Sequence, residues 1–172
     1  MINLYIDFDG VILNTIEIGY NEIKNLGLEV NSETCQNYYS TLDWKTFLNK
    51  QCSQINNSIE CIQKIIDSNM FNVNILSHVV SLDEAVEKIK YIRKYFKDIT
   101  FIPVPKKISK TKMVHTEGSI LIDDYAGNLR EWNNEGGIGI RFSEKLNGKG
   151  FYAIDHLDQI IEIVQNKVIS KI

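Results

Sequence analysis

Asp7-Phe8-Asp9-Gly10 puts two carboxylates two residues apart, directly after the apolar run Ile2-Asn3-Leu4-Tyr5-Ile6. In extended chain, side chains two apart lie on the same side, so Asp7 and Asp9 are set to enter one pocket while Phe8 faces away. Neighbouring carboxylates repel unless a cation sits between them, they share a proton, or one serves as an acid while the other stays ionised. The pair therefore points to metal binding or proton transfer. Gly10 has no Cβ, so the backbone there can turn sharply and come close to a ligand. A second acidic pair, Asp123-Asp124, ends another short apolar run, Ser119-Ile120-Leu121-Ile122. Between the two pairs, Val73-Asn74-Ile75-Leu76 runs into Ser77 and His78, and a basic stretch over 106–112 offers Lys106, Lys107, Lys110 and Lys112. Acid pair, hydroxyl, lysine, acid pair is an ordered set.

Each member of the set has to be positioned by an element. The runs before Asp7, Ser77 and Asp123 have the continuous apolar character of strands buried on both faces of a parallel sheet. Ligands of such sheets bind outside the carboxyl ends of the strands, where these polar residues fall. Residues 99–104 and 138–142 supply two further strands, the latter following Gly136-Gly137. Helices are predicted over 16–26, 44–50 and 59–66 with no strand among them, then after Ser81, over 126–135, and along Leu157, Ile160, Ile161 and Val164. Ser81-Leu82-Asp83-Glu84 has the form of a capping box, and Ala85, Ile89, Ile92 and Phe96 mark the buried stripe of the helix it opens. Alternating strands and helices give an α/β fold with right-handed parallel crossovers. The segment 14–70 is too long for a plain crossover, so the chain divides into a core of 1–13 and 71–172 and a small helical cap of 14–70.

The ordered set resembles the four motifs of the haloacid dehalogenase superfamily, in sequence order and across nearly the whole chain. The resemblance implies a Rossmann-like parallel sheet flanked by helices, with a small helical cap inserted after the first strand. Leu121-Ile122-Asp123-Asp124, the short chain and the position of the insertion are similar to the 5'(3')-deoxyribonucleotidase-like phosphatases of that superfamily. On this resemblance Asp7 is the nucleophile that forms an aspartyl-phosphate, and Asp9 is the general acid and then the base. Mg²⁺ is held by Asp7, the backbone carbonyl of Asp9, and waters, with one of Asp123 and Asp124 touching the ion directly and the other, by preference Asp124, orienting a metal-bound water. Ser77 and one lysine hold the phosphoryl group. By spacing Lys112 is the chosen lysine and Lys110 the runner-up. Asp9 favours phosphate esters, because dehalogenases and phosphonate-cleaving members lack an aspartate at that position.

Substrate choice belongs to the cap and to the loops around the pocket. Tyr20, Tyr38, Tyr39, Trp44 and Phe47 supply aromatic rings there. Trp44 is the leading candidate to stack on a nucleobase, although a small cap also needs such rings for its own core. Gly10, His78 and Lys110 complete the candidate substrate contacts. The implied reaction is hydrolysis of a deoxyribonucleotide or a similar small phosphorylated metabolite. Alternatives are a sugar or other metabolite phosphatase, a phosphotransferase of the same fold, and a regulatory module that binds Mg²⁺ and phosphate without turnover.

The composition agrees with this reading. The 172 residues are 44% hydrophobic and 24% charged, enough for one sizeable core. A formal net charge of −3 supplies no basic field for a nucleic-acid polymer. No run approaches a membrane span, and Met1 leads straight into the first strand, so a soluble cytoplasmic protein is expected. The three cysteines, Cys35, Cys52 and Cys61, are widely spaced and form no C-x-x-C pair. The sequence leaves the oligomeric state open.

Overall fold

A computed structural model describes residues 1–168. Its centre is a six-stranded, wholly parallel sheet in the order β3-β2-β1-β4-β5-β6. The strands are β1 Ile2–Ile6, β2 Phe71–Val79, β3 Thr100–Pro105, β4 Ile120–Asp123, β5 Ile138–Phe142 and β6 Tyr152–Ile154. The strand order reverses between β1 and β4, which is the point of such a sheet where a crevice opens. Register brings Ile6 opposite Ile75 on one side and Ile122 on the other. Asp7, just past β1, Ser77, inside β2, and Asp123, the last residue of β4, follow these register partners and are therefore close in space.

The side chains of β1, β2 and β4 alternate between two layers. Leu4, Ile6, Ile75, Ile120 and Ile122 join one apolar cluster, while Tyr5, Leu76 and Leu121 join another on the opposite face. Both faces are covered, as a parallel sheet requires. The first face packs against α4 (Ser58–Asp67) through Cys61, Ile62 and Ile65, against α5 (Leu82–Arg93) through Tyr91 and Ile92, and against α7 (Gln159–Gln165) through Ile160 and Ile163. The second face is covered by α6 (Ala126–Asn134), which contributes Leu129 and Trp132, the latter edge-on to Tyr5.

Residues 14–70 are helical: α1 Thr15–Asn25, α2 Ser32–Ser40, α3 Trp44–Thr46 running into a wide turn Phe47–Gln51, and then α4. The helix α2, absent from the predicted elements, buries none of its residues and is held at its start by Asn31, whose side chain accepts from the amides of Glu33 and Thr34. Trp44, Phe47, Leu48 and Ile55 share one continuous apolar cluster with the sheet. The insertion is therefore packed onto the core.

Two expectations are corrected here. The strand β6 adds a sixth strand beyond the five foreseen; at three residues, with only Ile154 buried, it lacks the apolar run that announces a strand. The buried residues of α5 are Glu84, Ala85, Glu87, Lys88, Tyr91 and Ile92, while Ile89 is half-buried. Three charged residues are buried on a helix whose periodicity alone asks for apolar ones.

Candidate active site

The carboxylates at the ends of β1 and β4 gather into one cluster. Asp7, Asp123 and Asp124 each offer an oxygen within 4.8 Å of the others. Asp7 and Asp123 are buried, and Asp124 is half-buried. Asp123 is anchored by the first turn of α6: one oxygen accepts from the Tyr125 amide at 2.8 Å, the other from the Asn128 side chain at 2.9 Å. The backbone carbonyl of Asp124 is held by Arg141 Nε at 3.2 Å. At Gly10, with φ +72°, a Cβ would stand 2.5 Å from an Asp124 oxygen, so only glycine lets the first loop pass so close. Gly10 thus shapes the pocket by leaving room for a carboxylate.

Lys110 closes this cluster. It lies on a short 3₁₀ turn, Lys110–Lys112, and its ammonium is 2.7 Å from both Asp7 Oδ1 and Asp123 Oδ2, with the side chain fully enclosed. Lys112, the lysine chosen by spacing, points to solvent and pairs with Glu135 at 3.3 Å. This corrects the choice in favour of the runner-up. Linear spacing does not encode that the turn faces Lys110 inward and leaves Lys112 outside. His78 braces the loop from below, its Nε2 lying 2.9 Å from the Ile108 carbonyl. Burial holds the His78 imidazole below its ordinary pKa.

The electrostatics are unbalanced. Burial pushes the Asp7 carboxyl up to about 7, opposed by Lys110 and reinforced by Asp123 and Asp9. Burial, then Asp123 and Asp7, likewise raise Asp124 well above the usual carboxylate range. Lys110 is raised in turn: burial works against its charge, but Asp123 and Asp7 outweigh it. Three carboxylates share one ammonium, and a hard divalent cation with oxygen ligands is what such a donor set accommodates. The residues therefore fit a hard divalent cation.

Asp9 faces a different environment. Its Oδ1 accepts from the Thr15 hydroxyl at 2.7 Å, and its Oδ2 lies 2.5 Å from Lys88 and 3.4 Å from Ser77 Oγ. Lys88 also meets Glu84 at 2.6 Å, Ser77 Oγ at 3.2 Å and the His78 carbonyl at 3.2 Å. Ser77 is buried, directly past Leu76 on β2. Because β1 ends at Ile6, strict alternation does not extend to Asp9, and the two carboxylates of the first motif divide between two clusters. The Asp9 carboxylate is engaged by Thr15, Ser77 and Lys88, so only its backbone carbonyl suits the metal role assigned to it in sequence.

Trp44 is corrected as a stacking surface. Only 2% exposed, it stacks on Tyr39, donates from Nε1 to the Tyr39 carbonyl at 3.0 Å, packs edge-on to Phe47 and lies over the Lys88 ammonium. No ring face remains for a base. Sequence reading also missed Thr15, Glu84, Lys88 and Asn128. The Glu84-x-x-x-Lys88 spacing reads equally well as an ordinary surface ion pair, and only its coincidence with the buried stripe sets it apart.

No family model matches the chain, and no curated protein matches it. Solved structures do. The chain is similar to a HAD phosphatase from Thermococcus onnurineus, at 13% identity over 95% of this chain and 98% of that one, with a TM-score of 0.63. It is also similar to a HAD hydrolase of family IA, variant 3, from Entamoeba histolytica, at 16% identity over 96% and 98%, TM-score 0.62. The fold is that of the haloacid dehalogenase-like hydrolases. A further similar structure is CbbY from Rhodobacter sphaeroides in complex with phosphate, at 14% identity over 93% and 96%, TM-score 0.55. At such identities the haloacid dehalogenase-like likeness speaks for the fold, and function rests on the site. No helix among the described residues is long and apolar enough to cross a membrane.

Proposed function

We propose that the protein is a Mg²⁺-dependent phosphomonoester hydrolase that works through an aspartyl-phosphate on Asp7. The observation that carries this reading is the buried trio Asp7, Asp123 and Asp124 beside Lys110, at the switch point of a haloacid dehalogenase-like sheet. Asp7, Asp123 and Asp124, with the carbonyl of Asp9, would hold the ion. Bound there, Mg²⁺ would offset the negative charge of nucleophile and phosphate.

The chain's own groups then divide the work. An oxygen of Asp7 attacks phosphorus, forming a P–O bond as the bond to the leaving oxygen breaks. Asp9 gives that oxygen its proton. In the second step water attacks the aspartyl-phosphate, Asp9 takes the water's proton, and Asp7 is released with inorganic phosphate. Lys110 and Ser77 hold phosphoryl oxygens and offset charge as it builds. Within residues 14–70, the part before α4 acts as the cap beside the pocket, while α4 packs against the sheet.

The substrate in this reading is a small phosphorylated metabolite, and the deoxyribonucleotide-like motif keeps nucleotides in the panel. With Trp44 enclosed, base recognition would fall to other groups, among them Tyr20 and Tyr125, which are exposed. The test is phosphate release by the purified protein, with and without Mg²⁺, across deoxynucleotides, ribonucleotides and sugar phosphates, with Asp7→Asn as control. Metal-dependent release that disappears in the variant is expected. Binding of Mg²⁺ and phosphate without release from any ester would turn the reading into a regulatory module.

A further inference from the structure

Among the described residues Lys88 is the second fully enclosed lysine, and the scheme above gives it no task. It projects from α5 between two carboxylates, Asp9 at 2.5 Å and Glu84 at 2.6 Å, under a roof of Phe8 and Trp44 whose ring centroids are 5.2 and 5.3 Å away. Glu84 is itself pinned, since its other oxygen accepts from the Val80 amide at 2.6 Å and its amide donates to Ser81 Oγ at 3.1 Å. Stability gives weak reason for such an arrangement, because desolvating buried charges offsets most of their attraction and apolar replacements are often no worse. Geometry gives a stronger one. Lys88 touches both Asp9 and Ser77, and Thr15 holds the other oxygen of Asp9, so the carboxylate is fixed from two sides next to the hydroxyl proposed to hold the phosphoryl group.

We propose that Lys88 is a positioning residue: backed by Glu84 and roofed by Phe8 and Trp44, it clamps the Asp9 carboxylate in place for proton transfer. The proposal rests on the phosphatase reading. Lys88 touches no reacting atom in this role and works only through Asp9. A carboxylate free to swing between rotamers would spend part of its time out of reach of the leaving oxygen, and misplacement by about 1 Å can cost on the order of 100-fold in rate.

The test is a double-mutant cycle. Lys88→Met alone leaves Glu84 buried without its cation and can unfold the chain, so Glu84→Gln/Lys88→Met, which removes both charges, is made beside it. Phosphate release from p-nitrophenyl phosphate and from an alkyl phosphate is measured for the wild type, Asp7→Asn, Asp9→Asn, the Glu84/Lys88 variant, and that variant combined with Asp9→Asn. Expected is a fall in kcat of about 10- to 100-fold for the Glu84/Lys88 variant, the size seen when groups that orient an active-site residue are removed. KM should stay unchanged, the loss should be larger for the alkyl ester, and no further loss should appear once Asp9 is already Asn. Equal losses with Asp9 present or replaced, or for both esters, would mark Lys88 as structural and overturn the proposal while leaving the phosphatase intact. Release absent from the wild type, or unaffected by Asp7→Asn, would sink the phosphatase reading and the clamp with it.

Discussion

Among the described residues two lysines are buried at the sheet ends, each between two carboxylates, and they sit in opposite electrostatic settings. Lys110 arrives on a turn and meets Asp7 and Asp123, with Asp124 as a third acid in reach. Lys88 is fixed on a helix and meets Asp9 and Glu84, whose remaining oxygens are satisfied by Thr15 and the Val80 amide. The first cluster sets three carboxylates against one ammonium, and burial first, then the neighbouring acids, raises the Asp7 and Asp124 carboxyls. The second is saturated with donors. On the proposed reading the under-compensated cluster takes a cation and an anionic ligand, whereas the saturated one holds still.

The sharpest break in this comparison is Asp7→Asn. It should reduce phosphate release to background while leaving a cooperative thermal transition, because the change is nearly isosteric; substantial remaining turnover would rule Asp7 out as nucleophile. Next in size, Lys110→Met should lower kcat by about 10²–10³-fold, as loss of one charge-stabilising donor does. Lys112→Ala should stay within about twofold, since its exposed pair with Glu135 is worth only about 0–1 kcal/mol. A reversal of these two results would restore the assignment made from spacing.

Trp44→Ala should act on folding. Removing a ring enclosed against Tyr39, Phe47 and Lys88 should cost about 3–5 kcal/mol in denaturant unfolding. The ratio of KM for nucleotides to KM for p-nitrophenyl phosphate should not move, and a selective rise for nucleotides would return Trp44 to the substrate pocket.

The smallest effect is in pH dependence. Asp7 has its folded pKa raised to about 7 from an ordinary 3.8, so the stability it contributes is present below the lower value and is lost as pH rises through about 7. Metal-free protein should therefore lose Tm between pH 5 and 8, and Mg²⁺ should restore more at pH 8 than at pH 5. His78, lowered by burial, works the other way, its stability being lost as pH falls below about 6.5. The comparison with Asp7→Asn, in which the Asp7 part of the slope disappears, separates the two. A slope unchanged by that substitution would show that Asp7 is not strained in the metal-free protein.

Much of this was legible in the chain. Buried parallel strands need continuous apolar runs, so β1, β2 and β4 announced themselves, and acids at their ends had to converge where the strand order reverses. The elements that escaped were those with little buried surface: α2 buries nothing, and β6 contributes one buried residue to an edge. At the site, the residues that escaped were those whose meaning is relational. Thr15, Glu84, Lys88 and Asn128 are unremarkable types at unremarkable spacings, and each gains its role from a partner at least four positions away.

The sequence by itself determined that the ends of β1 and β4 carry carboxylates on the same side of a parallel sheet, because continuous apolar runs and the right-handed crossover leave few other arrangements, while the place of a serine and a lysine beside them came from the family resemblance. Tertiary structure alone decided which lysine turns inward, where the ring of Trp44 is spent, and that Asp9 parts from Asp7 to join Lys88. Those outcomes depend on where a helix face or a turn comes to rest against the sheet. Burial then decides which charges must find partners, since an unpaired charge in the interior is too costly to keep.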